Sequence, residues 1–401
     1  MTVRILVGDV RERLRGLAAE SVHCAMTSPP YWGLRSYLPD DHLNKAHELG
    51  SEKTYPEYID NMLAVFREVW RVLRPDGSLW LNLGDCYHSG DRGGYHADWE
   101  RGYKGGEMQL GNKGSLAAGL QPNRLPQKGL KKKDLVGMPW RVAFALQADG
   151  WYLRQDIIWH KLNPMPESVQ DRPTKSHEYI FLLTKQERYF YDTMAIMEEC
   201  SENTHSRGPD YHPANKTAEA GSGIKNNGSF SAATWGPVSR RNKRSVWSIT
   251  TGPLGLSHYA AFPTALVRPC ILAGTSERGV CPKCAKPWRR VVEKQAGSPP
   301  SHHGSTFTSG KTGAVHPNRG QGPRYVNVDT GNWLPSCKCA AGAPVPATVL
   351  DPFGGSGTTG LVADQLRRDA ILIELNPQYA AMAKARIEAD APMFAEVSVE
   401  E

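Results

Sequence analysis

No stretch of about 18 consecutive apolar residues occurs in the 401 residues, so nothing in the chain reads as a membrane-spanning helix. A secretory leader is not evident, because Met1-Thr2-Val3-Arg4-Ile5-Leu6-Val7-Gly8-Asp9 already reads as a strand entering a turn. Cysteine is sparse, eight in all, too few for a disulfide scaffold in a chain of this length. A soluble protein of a reducing cytoplasm is expected, where paired cysteines hold metal more often than they cross-link. Negative charge is in short supply, 41 Asp plus Glu against 48 Lys plus Arg, and the net +7 leans toward a polyanionic partner. By contrast Gly and Pro are plentiful, 39 and 29, and they cluster, which marks loops. Apolar residues at 40% suffice for a sizeable core, and the length allows one large domain with insertions or two domains.

Along the chain, Val3 to Val7 predicts a buried strand, and Val10 to Ala19 a short helix with Leu14 and Leu17 on one face. Val22 to Met26 is a second apolar strand, halted by Pro29-Pro30, which cannot continue a hydrogen-bonded ladder. Tyr55 to Leu73 carries Tyr58, Met62, Val65, Phe66, Val69 and Leu73 at helical spacing. Arg74-Pro75-Asp76-Gly77 reads as a turn before a strand over Ser78 to Leu83. Residues 86–134 form an insertion whose glycine-rich part, Ser89 to Gly119, predicts a mobile loop. A helix over Met138 to Ala148 has Pro139 in its first turn. Strand-like segments follow at Trp151 to Trp159, Glu178 to Leu183 and Arg188 to Tyr191, and Phe262 to Leu272 reads as helical. The end alternates strand (Thr348 to Leu350), glycine loop, helix (Gly357 to Leu366), strand (Ala370 to Leu375) and helix (Gln378 to Glu388). Alternation at both ends implies a parallel α/β sheet built from N- and C-terminal pieces.

Asp351-Pro352-Phe353-Gly354-Gly355-Ser356-Gly357-Thr358-Thr359-Gly360 sits between a strand and a helix, where small residues let backbone N–H groups approach a ligand closely. A phosphate-binding loop is excluded because no Gly-Lys-Ser/Thr follows. Gly355 to Gly360 also fits the dinucleotide pattern, with Glu374 at the next strand end to receive ribose hydroxyls, so a nicotinamide cofactor is the competing reading. A plain structural turn is the third. Asp351 favours S-adenosylmethionine: a carboxylate there repels a pyrophosphate and suits an ammonium and sulfonium.

Thr27-Ser28-Pro29-Pro30-Tyr31-Trp32 ends the second strand. Ser28 offers a hydroxyl acceptor, the Pro29 carbonyl is freed by Pro30, and Tyr31 offers an aromatic face. These are the parts needed to accept the hydrogens of an exocyclic amino group, whose lone pair is otherwise conjugated into a nucleobase, and to stack the extruded base. The bland alternative is a Pro-Pro turn followed by packing aromatics. A cysteine nucleophile acting on ring carbon 5 is set aside, since Pro269-Cys270 lies in an apolar helix.

The two segments in this order resemble the amino-methylating DNA methyltransferases, in the permuted arrangement where the catalytic segment precedes the cofactor loop. The resemblance covers most of residues 1–195 and 255–390. It implies an S-adenosylmethionine-dependent methyltransferase fold: α/β, a doubly wound and mostly parallel sheet, with inserted loops; the cysteine spacing adds a small zinc-ribbon-like insertion. Residues 1–195 would form the catalytic half and 251–280 with 340–401 the cofactor half. Residues 196–250 would be a polar linker and candidate target-recognition segment. Ser28, Pro29, Pro30 and Tyr31 would carry catalysis. Asp9, Thr27, Phe262, Asp351, Phe353, Gly355, Ser356, Gly357, Thr358 and Glu374 would hold the cofactor, Asp9 and Phe262 beside its adenine. Leu153 to Lys161 and Asp171 to Tyr179 resemble the family's pocket wall. His258 stands near the cofactor-covering helix, although Tyr259 replaces the commoner proline. Ser28 at the first catalytic position resembles the cytosine-N4 enzymes, with adenine-N6 the alternative.

Cys281-Pro282-Lys283-Cys284 is a strong zinc half-site, because its turn points two thiolates at one tetrahedral ion. Cys337-Lys338-Cys339, separated from it by 52 residues, is tighter than the usual spacing. A structural zinc at the base of the 281–339 insertion is expected, with free thiols or a redox pair as alternatives. Lys131, Lys132, Lys133, Arg240 and Arg241 lie in basic runs that would meet phosphates or merely be solvated. Trp32, Trp159, Lys161, Arg172, Lys175 and His177 are further candidates for DNA contact. Double-stranded DNA is the expected partner, and a cognate restriction endonuclease and a homodimer are compatible with the family; no membrane is expected. Methylation of RNA or protein, or a non-catalytic zinc-bearing DNA-binding module, are the rival functions.

Overall fold

The computed structural model describes residues 1–34, 36–38, 41–88, 122–124, 126–199, 240–252, 262–296, 325–340, 342–390 and 396–401. They fall into two units, Met1–Ala195 with Arg244–Trp288 and Pro335–Glu401, and Ile196–Lys243 with Arg289–Leu334. Of the expectations above, the glycine-rich stretch Ser89 to Gly119, most of 196–250 and His258 lie outside the described residues.

In the larger unit the elements run β1 (Thr2–Val7), α1 (Val10–Arg15), β2 (Val22–Thr27), α2 (Tyr55–Val72), β3 (Leu73–Leu83), α3 (Met138–Ala148), β4 (Tyr152–His160) and β5 (His177–Thr184). In the smaller unit lie the two-residue pair β6 (Glu198–Glu199) and β7 (Arg240–Arg241). The larger unit resumes with β8 (Val246–Ser248) and α4 (Thr264–Gly274). A two-stranded sheet of β9 (Trp288–Ala296) and β10 (Tyr325–Pro335) comes next, with Arg290 paired to Asp329 at 3.0 Å and stacked over the Trp333 ring. The chain closes with β11 (Thr348–Asp351), α5 (Thr358–Gln365), β12 (Asp369–Glu374), α6 (Pro377–Asp390) and β13 (Glu396–Glu400).

Nine strands form one sheet in the order β13-β1-β12-β11-β2-β3-β5-β4-β8. Every neighbouring pair is parallel except those made by β5, which runs against both β3 and β4. Side chains alternate across it. Leu79, Leu81 and Leu83 of β3, with Ile371 and Ile373 of β12, join a core made with α1, α2 and α3. Helices α4, α5 and α6 pack on one another as a separate group, where Leu372, Ile387 and Val3 close around Gly360. This is the doubly wound α/β arrangement.

Local chemistry accounts for the element ends. The Thr54 hydroxyl accepts from Glu57 N and the Glu57 carboxylate accepts from Thr54 N, a reciprocal cap that starts α2, with Pro56 in its first turn. All five expected apolar positions inside α2 are buried, and Leu73 is buried as the first residue of β3. Helix α1 is shorter than expected, ending at Arg15 with Gly16 as its cap. The Arg74–Gly77 turn lies inside β3, as a bulge between the Val22–Leu73 and Cys24–Ser78 pairs. Gly77 is required there, since a Cβ would lie 2.8 Å from the His23 carbonyl. Arg188 to Tyr191 is not a strand; Phe190 N donates to Asp76 O instead. Helix α4 starts at Thr264 because Pro263 is extended. Among the described residues, no helix is long and apolar enough to cross a membrane.

The order β11-β2-β3 governs the site. β11 pairs with β2 in parallel, Val349 opposite Cys24 and Leu350 opposite Ala25. The glycine loop after β11 and the Ser-Pro-Pro corner after β2 therefore emerge side by side from the same sheet edge, although they are more than 320 residues apart in sequence. Ligand clefts in open parallel sheets form at such strand ends.

Candidate active site

At that edge lies a cavity of about 640 Å³. Its wall includes Ser28, Pro29, Pro30 and Tyr31 from one loop, and Pro352 to Ser356 with Thr358 from the other. Gly8, Val10, Phe262, Ile373, Glu374, Leu375 and Asn376 complete one set of contacts, and Asn82, Gly84, Asp85, Trp159, Lys161, Lys175, His177 and Glu178 another.

The two loops are joined beneath the cavity by Asp351. Its carboxylate is fully buried and accepts from Thr27 Oγ1 and Thr359 Oγ1, each at 2.6 Å, and from Phe353 N at 3.0 Å. Burial pushes this carboxyl up to about 6, against those three donors. Asp351 and Thr27, both expected among the cofactor-holding residues, brace the two loops from below, and neither is part of the cavity wall. Gly357 is likewise structural, a left-handed helix cap at φ 77° whose Cβ would meet Ala383 at 2.8 Å. Asp9 caps α1 and pairs with Arg11 at 2.6 Å, while its neighbours Gly8 and Val10 make the wall.

Glu374 does line the cavity. Its two carboxylate oxygens accept from Gly355 N and Asn376 N, each at 2.8 Å, and burial raises its carboxyl to about 7. A half-buried carboxylate with lone pairs left over, beside an apolar rim of Phe262, Phe353 and Ile373, fits a ribosyl purine. The residues present thus fit S-adenosylmethionine, with Glu374 for its ribose and the Gly354 to Ser356 backbone beside it.

Tyr31 organises the other side. Its hydroxyl lies 2.8 Å from Glu178 Oε2 and 3.2 Å from Asn82 Oδ1, and it accepts from Ser28 Oγ at 3.2 Å. Burial first, then the Glu178 charge, holds the phenol well above its ordinary range, so it donates its proton to Glu178. Asn82 Nδ2 also reaches Glu178, at 3.2 Å, and Lys161 closes the network as an ion pair with the other carboxylate oxygen. The Lys161 ammonium also lies 4.7 Å from the Trp159 ring centroid. Gly84 makes room for the tyrosine: a Cβ there would sit 2.5 Å from Tyr31 Cε2.

Asn82 and Gly84 were not foreseen as site residues, and Glu178 was expected only as part of the pocket-wall segment Asp171 to Tyr179. β3 and β5 bring them together, with Asn82 opposite Ile180 and Leu83 opposite Tyr179. Trp32 is corrected: it is 1% exposed, donates its indole N–H to Glu52 O, and belongs to the core rather than to a DNA-facing surface. Trp159, Lys161, Lys175 and His177 line the cavity itself. Arg172 stacks 3.8 Å over the Tyr87 ring and pairs with Glu167 at 2.7 Å. Lys131 pairs with Asp134 and Lys133 with Asp171, while Lys132 is exposed. Arg241 pairs with Glu198 at 3.4 Å in the smaller unit, where Arg240 is exposed. Cys281, Cys284, Cys337 and Cys339 converge, their sulfurs all within 4.8 Å of one another.

A buried acidic brace beneath a glycine loop, a cavity-lining glutamate and a hydroxyl corner thus share one cleft, built from segments at both ends of the chain. The chain matches the DNA methylase family, which groups N6 and N4 methyltransferases, over residues 22–281 and 342–385. It is 36% identical over 384 residues to the Type II methyltransferase M.SmaI of Serratia marcescens, covering 96% of this chain and 90% of that one. It is 36% identical over 383 residues to M.Cfr9I of Citrobacter freundii, covering 96% and 87%. Among solved structures it is similar to the cytosine-N4-specific PvuII DNA methyltransferase, at 15% identity and a TM-score of 0.47 over 100% of this chain and 96% of that one. The chain belongs to the DNA methylase family, whose methyl donor is S-adenosylmethionine.

Proposed function

We propose that this chain is a site-specific methyltransferase of the Type II kind, acting on the N4 amino group of a cytosine extruded from duplex DNA. The observation that carries the reading is the hydrogen-bond chain Ser28 to Tyr31 to Glu178 at the cavity wall. Because Ser28 spends its proton on Tyr31, its oxygen lone pairs remain as acceptors for an amino N–H. The Pro29 carbonyl beside it, ahead of Pro30, supplies the second acceptor. Two acceptors draw the amino nitrogen out of conjugation and turn its lone pair toward the methyl donor. S-adenosylmethionine, when bound, would supply an electrophilic methyl group for the amino nitrogen, and the proton that nitrogen loses would leave through the Ser28 hydroxyl to solvent. Fixing that in-line geometry is worth up to about 7–11 kcal/mol in favourable cases.

Two further features support the reading. A serine, rather than a carboxylate, stands at the first acceptor position, as in cytosine-N4 relatives. Trp159 and Tyr31 offer aromatic surface to an extruded base, and such stacking returns about 1–3 kcal/mol of the few that extrusion costs. Duplex DNA is then the macromolecular partner, with the exposed Lys132 and Arg240 as candidate phosphate contacts, and a cognate endonuclease would share its recognition sequence. Methylated DNA digested to nucleosides tests the reading: N4-methylcytosine is expected, and N6-methyladenine as the sole product would overturn it.

A further inference from the structure

The four converging cysteines have surroundings that point beyond a bare thiol cluster. The turn Cys281 to Cys284 is closed by Ala285 N donating to Cys281 O at 2.8 Å and Cys281 N donating to Lys286 O at 2.9 Å. It is seated by Val280, which exchanges backbone bonds with Val345 at 2.8 and 2.9 Å. Gly279 is obligatory for that seat, since at φ 104° a Cβ would lie 2.3 Å from Val345 O. Ala285 holds a left-handed φ of 56°, a conformation that is unfavourable for a non-glycine residue and persists where the surroundings enforce it. Ser336 Oγ donates to Pro287 O at 2.6 Å and brings the second cysteine pair to the first.

Four thiolates at about 2.3 Å from one ion stand roughly 3.8 Å apart in a tetrahedron, which a cluster spanning 4.8 Å reaches by a small contraction. An all-sulfur tetrahedral set selects zinc, or iron in a sulfur cluster.

The carbonyls of this turn are already engaged with the catalytic sheet. His23 Nε2 donates to Ala285 O at 3.0 Å, and His23 Nδ1 accepts from Thr348 N at 3.0 Å. Arg74 Nη1 donates to Cys284 O at 3.2 Å. His23 is the second residue of β2, Thr348 the first of β11 and Arg74 the second of β3. One buried imidazole thus joins the cysteine turn to the starts of the two strands whose far ends carry the catalytic corner and the glycine loop.

We propose that Cys281, Cys284, Cys337 and Cys339 bind a single structural zinc ion, and that the metal knot, through His23, fixes the register of β2 against β11. The function is mechanical: the ion sits at the opposite strand ends from the cavity and takes no part in methyl transfer. Rigid strands carry the constraint, because Thr27 and Asp351 at the far ends keep a 2.6 Å bond only while the pairing holds.

The test uses the full chain purified from zinc-replete cells and reads metal and backbone protection rather than turnover. Elemental analysis is expected to find about one zinc per chain, freed when a mercurial caps the thiols of the folded protein. The C281S/C284S variant is expected to retain less than about a tenth of that. Hydrogen exchange read by mass spectrometry is expected to accelerate at least tenfold in residues 22–27 and 348–351 once zinc is removed. His23→Ala is expected to keep its zinc yet show the same local acceleration, separating the tie from the metal. Iron in place of zinc, a disulfide within the cluster, a metal-free native chain, or unchanged zinc in the double variant would each reject the site. Unchanged exchange after zinc loss from the native chain, or in a zinc-loaded His23 variant, would reject the mechanical role.

Discussion

Gly84→Ala is the sharpest probe of how the amino-accepting corner is held. The added Cβ would fall 2.5 Å from Tyr31 Cε2, 2.9 Å from Cδ2 and 3.3 Å from Cζ, where carbon contacts ordinarily settle near 3.5–4.0 Å. The ring must therefore move by about 1 Å. Its hydroxyl contacts to Ser28 and Asn82 are already 3.2 Å long, so they break first, and the Ser28 proton loses its acceptor. Ser28 is then free to point its hydrogen at the substrate amine, which repels rather than accepts. A misplacement of that size costs about 10²-fold in turnover. The overpacking should cost about 1–3 kcal/mol of stability. Cofactor affinity is expected to stay within a few-fold, because Glu374 ends β12 and Gly355 lies in the loop after β11, neither on β3. Single-turnover methylation of a DNA duplex measures the chemical step, and equilibrium binding of S-adenosylmethionine measures the rest. In a Tyr31→Ala background there is no ring to displace, so Gly84→Ala should add little, a coupling visible in a double-mutant cycle. Full turnover in Gly84→Ala, or an equal loss with and without the Tyr31 ring, would refute the argument.

Two other perturbations test the cofactor side. Glu374, raised to about 7 from the usual 4.5, binds a proton in the folded chain between those values that the unfolded chain lacks, so its contribution to stability grows as pH falls through 7 and levels off below 4.5. Ribose hydroxyls favour the ionised form, so cofactor binding at pH 6 should release a proton and weaken up to about tenfold per unit of acidification; calorimetry in two buffers of different ionisation heat would contradict this by finding no proton release, and Glu374→Gln should abolish it. Thr27→Val removes one of three donors to the buried Asp351, at an expected cost of about 1.5–3 kcal/mol in thermal or denaturant unfolding together with weaker cofactor binding, although Thr27 touches no part of the cavity wall. Undiminished stability and affinity in that variant would mean that the brace is dispensable.

What the sequence disclosed and what it hid follow from the range of each signal. Helix α2 was legible because Tyr58, Met62, Val65, Phe66 and Val69 repeat within 18 residues and Thr54 and Glu57 cap each other locally. The end of β2 was legible from two prolines. The pairing of Ser28 with the glycine loop was legible only through the family pattern, since parallel neighbours so far apart leave no local trace. Asn82 and Gly84 carried no motif, and Glu178 stood in the Asp171 to Tyr179 wall segment with no role of its own; the three meet through an antiparallel register between β3 and β5 that no short-range pattern sets. Trp32 was misassigned because an aromatic after a Pro-Pro corner has no periodicity to say which way it turns, and here it turns inward. Asp351 was found, but its role was not, because the hydroxyls that occupy it come from Thr27 and Thr359. The three-residue β8 escaped notice because only its alignment with Ile158 to His160 makes it a strand.

The sheet order also sets a timetable for biosynthesis. β1 has only β12 and β13 as neighbours, and β2 waits for β11 on one side, so each lacks a partner until the far end of the polypeptide emerges. At roughly 5–20 residues per second, the 324 positions from Thr27 to Asp351 correspond to a delay of roughly 15–65 s on the ribosome. During that interval Val3, Ile5 and Leu6 sit on an open strand edge, the kind of surface that recruits chaperones or other nascent chains. Premature termination after β5 and ahead of β11 would accordingly release a sticky half-sheet rather than a weakened enzyme.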